Sequence, residues 1–277
     1  MPVHITTLSE NTASRTKLLA EWGLSIMVEA DRHTVLLDTG ASVSAAVNAL
    51  ALGVDLSRIE AIALSHGHFD HTGGLLHILR LMRRPVEVIA HPELWAAKYG
   101  RLPGEPEQYA GVPFPREAAE SAGARFKLTR EPVWITENIV TSGEVPMVTD
   151  YEAVDPILYV KKDAALLPDP MEDDLALFVK SEKGLVVVLG CAHRGIINTI
   201  EHARTITGVD TVYAVIGGTH LHRVSAHRLE STIAALSKLG VKRLGVSHCT
   251  GLEKAAILAH HFGEAFFFNN AGTSITL

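Results

Sequence analysis

Leu64-Ser65-His66-Gly67-His68-Phe69-Asp70-His71-Thr72-Gly73-Gly74 follows an apolar run, Ile59 to Leu64, that reads as a buried strand. It precedes a segment with helical apolar spacing, Gly73 to Met82. His66, His68, Asp70 and His71 crowd the commonest metal-ligating side chains into six residues. Side chains two apart on an extended loop point the same way, so His66 and His68 can reach one cation together while Asp70 and His71 face a neighbouring one. Asp70 stands where a helix would begin, and its carboxylate is expected to cap free backbone N–H groups while it ligates. The plain alternative is a solvated histidine-rich turn, against which the density of the cluster at a strand-to-helix junction argues.

Upstream, residues 3 to 8 read as a strand. Residues 24 to 30 and 34 to 40 form an antiparallel pair around the turn Asp31-Arg32-His33, closed by Asp38, and an Ala-rich helix runs from 42 to 52. Asp38 at a strand end fits a turn or a helix cap. Downstream, 86 to 90 is a strand. Residues 91 to 132, with prolines at 92, 103, 106, 113 and 115, read as an irregular insertion that is either a lid or a surface loop. A strand spans 133 to 141. Residues 149 to 174 read as irregular, and the acidic run Asp169-Pro170-Met171-Glu172-Asp173-Asp174 as a solvated face.

A hairpin, 175 to 180 and 184 to 190, opens an alternating series: helix 196 to 206, strand 211 to 216, helix 225 to 239, strand 243 to 247, helix 252 to 262 and strand 266 to 268. At His66, His193, His220 and His248 an apolar strand ends in a small polar turn carrying histidine and a helix follows. In layered α/β folds ligands gather beyond strand ends, so these histidines converge. Early hairpins followed by strand–helix alternation predict an α/β sandwich in one domain, 1–277: two mixed β-sheets with helices on the outer faces.

A catalytic zinc-like centre needs three protein ligands and an open position. His66, His68 and His193 would supply one set, and Asp70, His71 and His248 a second suited to zinc, manganese or ferrous iron. Cations about 4 Å apart would activate a water between them and hold developing negative charge. The chain has 277 residues, 47% hydrophobic and 20% charged, with net charge −6. It therefore offers no broad basic face for nucleic acid. No apolar stretch of about 18 residues suggests a membrane span, and the N-terminus does not read as a signal peptide. A cytoplasmic enzyme acting on a small-molecule substrate is expected. Cys191 and Cys249 are too few for a disulfide framework; each lies beside a proposed ligand, either as a small buried thiol or as a donor or support for the metals.

The His-x-His-x-Asp-His cluster resembles the signature of the metallo-β-lactamase superfamily, and Leu37-Asp38-Thr39-Gly40 and the late His248 extend the resemblance over nearly the whole chain. It implies an αββα sandwich with metals at one edge, Asp38 as an outer carboxylate holding the ligand loop, and a hydrolase. Gly190-Cys191-Ala192-His193-Arg194-Gly195, Gly217-Gly218-Thr219-His220-Leu221 and Ser247-His248-Cys249-Thr250-Gly251 are also similar to the branch labelled 7,8-dihydropterin-6-yl-methyl-4-(β-D-ribofuranosyl)aminobenzene 5′-phosphate synthase, which implies a pterin-related transferase. The sequence departs from many dinuclear members in one respect. Between His193 and His248 the only Asp is Asp210, ahead of a strand, and residues 218 to 220 read Gly-Thr-His where a bridging carboxylate is expected. Either His220 ligates, or the second metal is weak, or His220 faces the substrate, with Thr219, as a general acid working alongside Asp70.

Overall fold

The fold follows from which strands can bury both faces. In the computed structural model, which describes residues 2–163 and 165–277, two seven-stranded sheets pack face to face. The first runs, from edge to edge, Ser274–Thr276, Val3–Ser9, Ser25–Ala30, His33–Leu37, Ala61–Ala63, Val86–Ala90 and Ala124–Leu128. The second runs Phe266–Phe268, Arg243–Ser247, Val212–Gly218, Gly184–Leu189, Ala176–Ser181, Ile139–Thr141 and Val133–Trp134. Each is antiparallel in one half, where strands join through hairpins, and parallel in the other, where helices intervene.

Side-chain alternation divides the core into three layers. Val35 and Leu37 point between the sheets with Val186, Val188, Ala214 and Ile216, whereas Leu36 points outward. Outward residues of the first sheet meet helices Ser44–Ala51, Leu75–Met82 and Arg116–Ser121 through Ala45, Ala49, Leu75, Leu79 and Ala119. On the far side Leu185, Val187 and Leu189 meet helices Ile196–Thr207, Ala226–Leu239 and Leu252–Phe262. The αββα sandwich expected from the sequence is thus present, and no helix among the described residues is long and apolar enough to cross a membrane.

The two stretches read as irregular are structured. Ala124–Leu128 extends the first sheet in parallel with Val86–Ala90. Ala97–Gly100 pairs with Leu158–Lys162 and Gln108–Tyr109, and Ala165–Pro168 completes a four-stranded sheet. The two stretches therefore fold against each other. Their strands are short and interrupted by prolines at turns, so neither carries a periodic signal on its own. The acidic run is also corrected, since Asp169, Asp173 and Asp174 are buried.

Candidate metal centre

Parallel strands in both sheets end at one edge of the sandwich, and the turns that follow carry the histidines. Ala61–Ala63 delivers His66 and His68, Gly184–Leu189 delivers His193, Val212–Gly218 delivers His220 and Arg243–Ser247 delivers His248. The backbone is bent sharply there. Asp38, Ala192, His220 and His248 have φ of 60°, 51°, 47° and 51°, a left-handed conformation that costs energy in non-glycine residues and tends to be retained at functional sites.

Two triads result. The Nε2 atoms of His66 and His193 face each other at 3.2 Å, and a His68 ring nitrogen joins them in a set whose members lie within 4.8 Å of one another. In the second, Asp70 Oδ2 lies 3.2 Å from His248 Nε2 and 3.9 Å from His71 Nε2. Donors sharing one tetrahedral cation at about 2.0–2.2 Å stand roughly 3.4 Å apart, which these spacings bracket. All six side chains are buried. His68 Nε2 has no hydrogen-bond partner. Burial first, then the neighbouring histidines, holds His66 and His193 well below the usual imidazole range. Neutral imidazoles turning buried nitrogens toward one point offer the lone pairs that a cation takes, so the donor set fits a divalent transition metal.

Surrounding groups fix each ring. Asp38 accepts the Ser65 N–H at 2.7 Å on Oδ1 and the Ser65 hydroxyl at 2.7 Å on Oδ2. The same Oδ2 lies 2.6 Å from His71 Nδ1, which leaves Nε2 aimed at the centre. Asp38 therefore holds the loop and is not a helix cap: helix Ser44–Ala51 has Val43 at its N-cap, with no side-chain bond. A Cβ at residue 190 would run into Ser65 Oγ, so only glycine lets the strand pass so close to this carboxylate. His248 is fixed from the loop that follows Val3–Ser9, with Nδ1 2.8 Å from Asn11 Oδ1 and its backbone N–H donating to Glu10 Oε1 at 2.6 Å. The Gly67 N–H donates to Asp173 Oδ2 at 2.8 Å, and the other oxygen of Asp173 accepts from buried Lys98 Nζ at 2.8 Å. Asp174 accepts the Arg194 N–H at 3.0 Å beside His193; burial, with Asp173 adding to it, pushes its carboxyl up to about 7.

Asp70 does not cap. Phe69–Thr72 is a one-turn helix whose N-cap, His68, makes no side-chain cap bond, and Asp70 lies inside that turn with its carboxylate toward His71 and His248. The cluster changes from extended to helical halfway along, which separates the His66/His68 pair from the Asp70/His71 pair. Burial opposes ionisation of Asp70, but His71 and then His248 outweigh it and hold the carboxyl below its usual range. Burial likewise opposes charge on His71, yet Asp38 and Asp70 raise it to about 9. The field that retains a proton on His71 also favours a cation, which must displace that proton. Below pH 9 the protonated form competes, so the affinity of the Asp70/His71/His248 set for zinc is expected to rise at least about tenfold per pH unit from 7 to 9. Competition titrations with a chelating dye at pH 7, 8 and 9 measure this; an affinity flat across the range would refute the coupling.

His220 adjoins the first triad, its ring centroid 4.2 Å from that of His193. Burial, then His222 and His68, lowers it to about 3, so the ring is neutral. It lines a cavity of about 380 Å³ that also holds Tyr151, Asp155, Arg223 and Arg228. Thr219 is buried and donates to Thr250 Oγ1 at 2.9 Å, so its hydroxyl braces the neighbouring turn. Another cavity, of about 250 Å³, lies against His248 and is walled by Trp22, Leu252 and Phe268. Cys191 and Cys249 are both buried at the centre. Glu10, Asn11, Lys98 and Asp173 escape a sequence reading, as no local pattern marks them.

Residues 23–196 match the family model described as the metallo-beta-lactamase superfamily. The chain is 34% identical, over 99% of its length and 96% of the relative, to 7,8-dihydropterin-6-methyl-4-(beta-D-ribofuranosyl)-aminobenzene-5'-phosphate synthase of Methanocaldococcus jannaschii. It is similar to the crystal structure of a metal-dependent hydrolase of the beta-lactamase superfamily, with TM-score 0.84, 28% identity and coverage of 99% of this chain and 98% of that one. Zn(2+)-bound PqqB of Methylobacterium extorquens shares the fold at TM-score 0.59 and 14% identity, covering 99% and 100% of the two chains.

Proposed function

Since the chain belongs to the metallo-β-lactamase superfamily, we propose that this enzyme is a metal-dependent hydrolase of a small-molecule ester, phosphoester or related bond. The observation that carries the reading is the pair of buried triads at ligand spacing, His66/His68/His193 and Asp70/His71/His248. Two divalent cations, zinc by donor chemistry with manganese or iron as alternatives, would supply a water acidic near neutral pH and polarise the scissile bond.

The protein's own groups do the remainder. Asp38, Ser65 and Asn11 hold the rings of His71, His66 and His248 through the nitrogen that faces away from the centre. The burial of all six donors keeps bulk water from competing. His220 faces the cavity as a neutral ring. An anionic group placed there raises its pKa, and a proton then held on the ring can pass to a leaving oxygen, as a general acid requires. Arg228 lines the same cavity, and its Nε and Nη2 are buried with no hydrogen-bond partner. That leaves guanidinium donors free for a phosphate or carboxylate.

A second reading, a pterin-related transferase using the same metals, draws on the 34% identity to the Methanocaldococcus jannaschii synthase. The apolar cavity of Trp22 and Phe268 beside His248 suits a flat ring. The deciding experiment offers the metal-loaded protein panels of phosphodiesters and lactones, and separately a dihydropterin with a phosphoribosyl acceptor. Metal-dependent release of alcohol or acid from the first is the expected result. Condensation of the second pair, with no hydrolysis in the panel, would replace the hydrolase reading.

A further inference from the structure

We propose that Cys191 is a thiolate ligand of the cation held by Asp70, His71 and His248. The inference rests on the metal-centre reading above and adds a donor of different chemistry to it. Cys191 follows the strand Gly184–Leu189, two residues before His193, and is 3% exposed. Its Sγ lies 3.1 Å from His71 Nε2. It also forms one compact donor set with His66 and His71 and another with His248 and Cys249, each within 4.8 Å. The sulfur therefore stands between the two triads. This is where the sequence lacks a bridging carboxylate, because the strand Val212–Gly218 ends in Thr219 and His220, and the His220 ring packs against His193.

A sulfur at about 2.3 Å and a nitrogen at about 2.0 Å from one tetrahedral cation are roughly 3.5 Å apart, close to the spacing of Cys191 and His71. A thiol serving only to fill the core would meet carbon on every side, whereas this one meets an imidazole nitrogen. Cys249 is differently engaged. Its Sγ accepts the His220 N–H at 3.3 Å and points to the Cys191 carbonyl at 3.7 Å, so it braces the two turns. On loading, the Cys191 S–H proton leaves to solvent as the sulfur–cation bond forms, with no change of oxidation state. A thiolate in the second position makes it a soft site that takes zinc, cobalt or ferrous iron in preference to manganese or magnesium.

Cobalt(II) titration of the metal-depleted full chain tests this. The expected result is an intense near-ultraviolet sulfur-to-cobalt charge-transfer band that is lost in Cys191→Ser and kept in Cys249→Ser. Cys191→Ser should also weaken the second equivalent of cobalt on the order of 10–100-fold while sparing the first. Zinc-edge X-ray absorption of the unmutated protein, independent of how any variant folds, should find a sulfur scatterer at about 2.3 Å. Two bound cobalt ions without the band, or a band that survives Cys191→Ser, would overturn the inference and leave the metal centre standing. No bound cobalt at all would overturn the metal centre, and the inference with it.

Discussion

Asp70→Ala is expected to lower turnover on the order of 10³-fold or more and to remove one of two bound cations. Asp70 is the only carboxylate in the ligand sets of the two triads, so its loss leaves the second position without a carboxylate donor in a buried shell. Its Oδ2 is also the atom that draws His248 and His71 together, at 3.2 and 3.9 Å. The fold should survive. Asp70 holds its neighbours through the backbone, accepting the Leu24 N–H at 3.1 Å, and alanine keeps that bond and suits the helical turn Phe69–Thr72. Elemental analysis alongside initial rates, with circular dichroism to confirm folding, separates the outcomes. A folded variant with two cations and undiminished turnover would remove Asp70 from the centre.

What the sequence revealed of this site was what lies close together along the chain. His66 to His71 is legible as a cluster, and the turns at His193, His220 and His248 repeat one local pattern of strand, small polar turn and helix. The supports are different in kind. The Gly67 N–H reaches Asp173 across 106 positions and the His248 N–H reaches Glu10 across 238, and nothing in the vicinity of either acid foretells its partner. The same limit hid the third sheet, in which Ala97–Gly100 finds Leu158–Lys162 only after the chain has folded back. Ala124–Leu128 was in principle visible, since Arg125 and Lys127 alternate with less polar residues, but the prolines preceding it masked the period. Asp169 and Asp173 defeated the expectation of solvation because one lysine, distant in sequence, follows them into the interior.

That lysine carries the second large effect. Lys98→Met is expected to destabilise the fold by about 3–5 kcal/mol, the range for removing one partner of a buried ion pair and leaving the other uncompensated. Lys98 Nζ lies 2.7 Å from Asp169 Oδ2 and 2.8 Å from Asp173 Oδ1, with all three side chains almost wholly buried. Burial disfavours its charge, but Asp173 and then Asp169 outweigh that and raise its pKa. Methionine fills similar volume, so the cost is mainly electrostatic: two carboxylates remain without a cation, and one of them orients Gly67 between His66 and His68. A Cβ at Gly67 would already strike the Leu94 carbonyl, so the loop has little room to find another arrangement, and metal loading should weaken along with stability. Urea unfolding of the metal-free protein isolates the first effect. Adding Asp169→Asn to Lys98→Met removes one stranded charge and should recover part of the loss. A Lys98→Met cost below about 1 kcal/mol, in the range of an exposed pair, would show that this network neither stabilises the sandwich nor holds the histidine loop in place.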